Sequence, residues 1–186
     1  YNDVNLNLTG ITLKEELALP PQRENPNFSG SKTNLTVASN ILKLSNPNTN
    51  QSGVYSFASP LDLGAVFSLK INSIILSSGE NESALWDSIP NFDIEQSIDG
   101  TTVETVNGAL FVRTTNDDPS GSPTYTAFNK VQSGTFRARA FDFKCELESE
   151  SKNNNILISE LGFDSFLQAR TEQSTTLIPS GAGPKN

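Results

Sequence analysis

The sequence has no histidine, no methionine, one cysteine and one tryptophan in 186 residues. Without histidine, Ser/His/Asp and Cys/His catalysis are closed to this chain, and the commonest neutral metal ligand is missing. A single cysteine forms no internal disulfide and builds no cysteine zinc cluster. No apolar run approaches the roughly 18 residues that a membrane-spanning helix needs, so membrane insertion is not expected. No signal-peptide pattern is visible. Neither a Walker loop nor a glycine-rich dinucleotide turn occurs. Positive charge is scarce: 13 Lys and Arg stand against 21 Asp and Glu, for a net charge of -8. Nucleic-acid binding needs clustered cations, so nucleic acid is not an expected partner. The acidic balance favours solubility instead. A chain that begins at Tyr1 and lacks methionine is expected to be a piece of a longer polypeptide.

What is present points to β structure. Eleven Phe, with Ile, Leu and Val, supply a core even though only 35% of residues are hydrophobic. A chain of this length buries roughly 70% of its unfolded surface and needs no staples. Asn, Ser and Thr are abundant, which suits turns between strands better than helix interiors. The clearest pattern lies in Gly108–Glu148. Phe136, Ala138 and Ala140 alternate with Arg137 and Arg139. The phase then slips, and Phe141, Phe143, Cys145 and Leu147 alternate with Asp142, Lys144, Glu146 and Glu148. Period-two alternation marks a strand with one buried and one wet face. The slip predicts a long bent antiparallel strand with a bulge near Ala140–Phe141. Cys145, on the apolar phase, is expected to be a small buried hydrophobe.

Other strands are expected at Ile41–Leu44, around Tyr55 and Phe57, at Val66–Leu76, at Leu110–Thr115 and around Tyr125 and Phe128. A last strand carries Ile156, Ile158, Leu161, Phe163 and Phe166, with an irregularity at Glu160–Gly162. Val4, Leu6 and Leu8 alternate near the start, and Leu13–Leu19 is open to one or two helical turns before Pro20–Pro21. Residues 20–34 have loop composition, and the tail from Thr171 reads as a linker. The expected division is residues 1–50, an extended N-terminal arm and first strands; 51–170, a β-sandwich domain; and 171–186, a linker to an expected C-terminal domain beyond this sequence. Roughly eight strands without a helical period predict an all-β antiparallel sandwich of jelly-roll kind, with an up-and-down barrel as the alternative.

Candidate chemistry is sparse. Asp117 and Asp118 are weak candidates for a hard cation, though Asp before Pro in NDDPSGSP is ordinary turn chemistry. Trp86 with Asp87, Glu80 and Glu82 beside it, and Tyr125 and Tyr55, are candidates for stacking on a sugar ring if exposed. Asp93, Glu95 and Asp99 supply carboxylates, but nothing fixes the separation a glycosidase pair requires. Arg113, Arg137 and Arg139 lie on polar strand phases, where they can pair with Glu104, Asp142 or Glu146 or form a patch for an acidic partner. No cofactor and no catalytic residue is expected.

Four segments carry a resemblance: GVYSFASPLDLGAVFSLKI (53–71), LFVRTTNDDPSGSPTYTAF (110–128), FRARAFDFKCELES (136–149) and ILISELGFDSFLQARTE (156–172). Together they resemble a domain of large phage tail and host-specificity proteins. In that family an RTTDDDP-like run precedes a short aromatic strand, and FxARAFQFxAxLxS-like and ELG-like strands follow. Residues 79–105 depart from the family in having less Trp and Asp. The resemblance implies a carbohydrate-binding-module-like sandwich in a tail-fibre or tail-tip protein of the virion, without catalytic activity. It implies a homo-oligomer, a trimer by the family's context, beside other tail proteins, with host glycan or receptor as a further partner.

Overall fold

A computed structural model describes residues 16–81 and 106–168. The described chain is all β, with eleven strands and only antiparallel pairings. They are β1 (Leu17–Ala18), β2 (Gln22–Arg23), β3 (Ser31–Thr33), β4 (Leu35–Ala38), β5 (Ile41–Leu44) and β6 (Ser52–Ser56). Then come β7 (Leu61–Asn81), β8 (Val106–Thr115), β9 (Asn129–Lys130), β10 (Ser133–Ser149) and β11 (Asn154–Leu167).

Three long strands organise the rest. One edge of β10 pairs first with β7 (Ser133–Phe141) and then with β6 (Lys144–Glu148), while its other edge pairs with β8 from Ala140 to Ser149. β7 passes from β10 to β11, which it pairs from Leu69 to Asn81. The far edge of β11 takes β5, β2 and β1 in turn. The order β3-β6-β10-β7-β11-β5-β4 makes a nearly closed sheet folded into two facing layers. Among the described strands only β4–β5 and β8–β9 are both consecutive and paired, which is not the order of an up-and-down barrel.

The layers meet through aromatic side chains. Phe143 of β10 stacks on Phe163 of β11 with ring centres 4.0 Å apart. Phe57, Tyr55 and Phe28 extend the contact as a chain of edge and tilted pairs. Each such pair adds about 0.5–1.5 kcal/mol beyond area burial. Leu69, Ile71, Ile156, Ile158 and Leu161 fill the space around them.

The alternation is realised with two corrections. On β10, Ala140 and Phe141 are both buried, so the phase does slip there. The register with β8 begins at Ala140 and is unbroken from there. The extra residues are on β7: Ala138 faces Phe67 and Ala140 faces Asp62, so two steps on β10 answer five on β7. Gly64, at φ 74, lies in this excursion. On β11 the shift falls between Ile158 and Glu160, two steps against one on β7, a one-residue bulge beside the expected position. The second correction concerns Tyr125 and Phe128, which lie outside any strand; only Asn129–Lys130 pairs there. The segment 20–34, expected to be loop, supplies β2, β3 and the fully buried Phe28.

Candidate functional site

The outer face of β8 and β10 collects most of the described residues singled out above. Leu110 and Val112 of β8, with Phe143 and Cys145 of β10, take the inward face. Their neighbours must therefore point outward. The register then sets Arg113 opposite Asp142, Phe111 opposite Lys144 and Ala109 opposite Glu146. Arg113 pairs with Asp142 at 2.7 Å, and Lys144 pairs with Glu146 at 2.6 Å.

The chain after β8 turns back over this face. Thr126 N–H donates to the Thr114 carbonyl at 2.9 Å, and Thr114 N–H donates to Thr126 Oγ1 at 3.0 Å. This brings two aromatic rings onto the cations. The Arg113 guanidinium lies 4.5 Å from the Tyr125 ring centre and 4.7 Å from that of Phe128. Lys144 Nζ lies 4.5 Å from Phe128 and 5.3 Å from Phe111. Such contacts are attractive because the ring face carries partial negative charge.

Beside this layer Arg139 bridges two carboxylates, Asp62 at 3.1 Å and Asp118 at 2.9 Å. Asp118 is pulled down to about 2 by hydrogen bonds from Ser120 and from Arg139. Asp62 is lowered mainly by its Arg139 bond, with the Gly64 N–H second. Both shifts run opposite to what a general acid near neutrality needs. Tyr125 is raised, first by burial and then by Asp142 and Asp62, with Arg113 opposing. The patch is therefore an internally neutralised lattice of charges and rings. It offers a shaped surface, and its own groups consume most of its charge.

The turn acids behave as turn residues. Asp117 Oδ2 accepts the Thr124 N–H at 2.8 Å, and Asp118 Oδ1 accepts the Ser120 N–H at 2.9 Å. Among the described residues no group of three His, Cys, Asp or Glu side chains is arranged to hold a metal ion. Tyr55, a stacking candidate, is fully buried, and its hydroxyl is engaged by Glu24 and Gly30, so its role is structural. Tyr125 is half-buried against Arg113. Arg137 is exposed on β10. Glu80 pairs with Lys43 at 3.7 Å. Trp86, Asp87, Glu82, Asp93, Glu95, Asp99 and Glu104 lie outside the described residues. Asp62 and Lys144 belong to the patch and were not singled out from the sequence. Lys144 had a signal, since it shares the polar phase with Asp142; Asp62 had none before β7 was paired with β10.

No family model matches the chain, and no curated protein matches it.

Proposed function

We propose that this chain is a structural and adhesive module of a bacteriophage tail-fibre or tail-tip protein, acting in host attachment. The reading rests on the four segments that resemble phage tail and host-specificity proteins. Its support is that their strands are hydrogen-bonded neighbours: β6 and β7, β8, β10 and β11 form one continuous unit. The NDDP run of that resemblance also supplies Asp118, which Arg139 of the next resembling segment holds. On this reading the jelly-roll, carbohydrate-binding-module-like sandwich works by rigidity and shape. It positions a distal binding surface and packs against copies of itself, as a trimer, and against other tail proteins of the virion. No catalytic step is assigned to it. Direct glycan contact is the weaker reading, because Tyr55 is buried and Tyr125 already stacks on Arg113.

The test is the native mass of the full chain, together with limited proteolysis and antiserum labelling of virions. The expected result is a homotrimer with the arm within residues 1–50 protected and with tails labelled. A monomer whose arm is cut freely, with unlabelled tails, overturns the proposal.

A further inference from the structure

A small cleft beside β2 is a separate feature. Phe163 pairs with Gln22, so residues 22 and 24 share the side of β2 that faces Phe163, while Arg23 turns the other way. Arg23 pairs there with Glu160 at 3.1 Å and with Asp164 at 2.9 Å. Glu24 instead lines a cleft of about 180 Å³ with Phe57, Ser59, Pro60 and Leu61, above Phe143 and Phe163.

The charge of Glu24 is the anomaly. Five described carboxylates are half-buried: Glu24, Asp142, Glu146, Glu160 and Asp164. Four have a cation, respectively Arg113 for Asp142, Lys144 for Glu146 and Arg23 for both Glu160 and Asp164. Among the described residues Glu24 has none; it accepts only the neutral hydroxyl of Tyr55. A carboxylate at a cleft wall with no cation beside it is open to an incoming one. Its backbone is held in place: Glu24 N–H donates to the Leu161 carbonyl and its own carbonyl accepts the Phe28 N–H.

We infer that this cleft is a docking site for an arginine side chain of a partner protein. Its volume lies below the roughly 300–1,000 Å³ of small-molecule pockets and suits one inserted side chain. A planar guanidinium stacks on Phe57 while its N–H fork meets the Glu24 carboxylate. Pro60 and Leu61 flank the aliphatic stem. The chain's net charge of -8 draws a basic partner to it. The inference is independent of the tail assignment, since it needs only a protein that presents arginine.

The experiment titrates acetyl-arginine amide into the full ¹⁵N-labelled chain, with acetyl-lysine amide and methyl glucoside as comparisons. Amide shifts at Glu24 and across Phe57–Leu61, saturating at millimolar arginine and weaker with lysine, are expected. Glu24→Gln retains an acceptor for Tyr55 and lowers the affinity roughly tenfold or more. Phe57→Leu leaves the Glu24–Tyr55 bond in place and weakens binding severalfold. Spectra of β10 and β11 report whether either variant remains folded. Absence of shifts at the cleft overturns the inference. So does equal binding of lysine or glucoside, or undiminished binding by a folded Glu24→Gln variant.

Discussion

Arg113 and Cys145 share one piece of sheet and have opposite fates set by a one-residue step. Arg113 is on the outward phase of β8, where Asp142, Tyr125 and Phe128 all meet its guanidinium. Cys145 is on the inward phase of β10, fully buried, and pairs in register with Leu110 of β8. Burial pushes its thiol up to about 12, with a hydrogen bond from the Ala109 backbone opposing. The thiolate is the reactive form, so the folded chain keeps Cys145 inert at neutral pH. Iodoacetamide at pH 8 is expected to leave the native protein unmodified and to label one site in denaturant, as read by intact mass. Rapid labelling of the folded chain contradicts this burial.

At the scale of elements, β11 holds the short strands and a few contacts decide whether they stay. Asn155 clamps β5 by accepting the Leu44 N–H at 3.0 Å and donating to the Leu44 carbonyl at 3.1 Å. This side chain does for Leu44 what a strand neighbour does elsewhere. β2 approaches β11 at Gly162 so closely that a Cβ there collides with the Gln22 carbonyl. Gly162→Ala therefore forces β2 off its partner or strains it. The expected cost is about 1–3 kcal/mol, measured by urea unfolding. The same variant shifts the amide signals of Gln22 and Glu24. Unchanged stability with unchanged β2 signals means the approach is looser than described.

For the whole molecule, Arg139 ties the start of β7, the turn after β8 and the middle of β10 through Asp62 and Asp118. Folding lowers the Asp118 carboxyl from an ordinary 3.8 to about 2. As pH falls the unfolded state takes up the proton first, so protonation favours unfolding. The stabilisation is complete above about pH 4 and is lost as pH falls toward about 2. Both carboxylates are solvent-exposed and screened, which keeps the effect modest. The melting temperature is expected to fall through that window. In Asp118→Asn it starts lower at pH 7 and falls less steeply. Parallel curves for the two proteins remove Asp118 from the acid response.

Local alternation was enough to determine the β class, the inward set Phe141, Phe143, Cys145 and Leu147, and the slip at Ala140–Phe141. It also placed Arg113 and Asp142 on polar phases, and the sheet then paired them. Such features depend on neighbours two residues apart, which any reader of the chain can see. Pairing between distant strands decided the rest. Only the approach of β7 to β10 brings Asp62 to Arg139, 77 residues away. Only the packing of Phe28 and Phe57 around Tyr55 turns an apparent surface aromatic into core. Only β2 docking on β11 leaves Glu24 facing a cleft with no cation among the described residues, while its neighbour Arg23 takes two carboxylates. Period-two patterns specify which side of a strand is wet, but which strand lies across from it depends on the global burial of apolar surface.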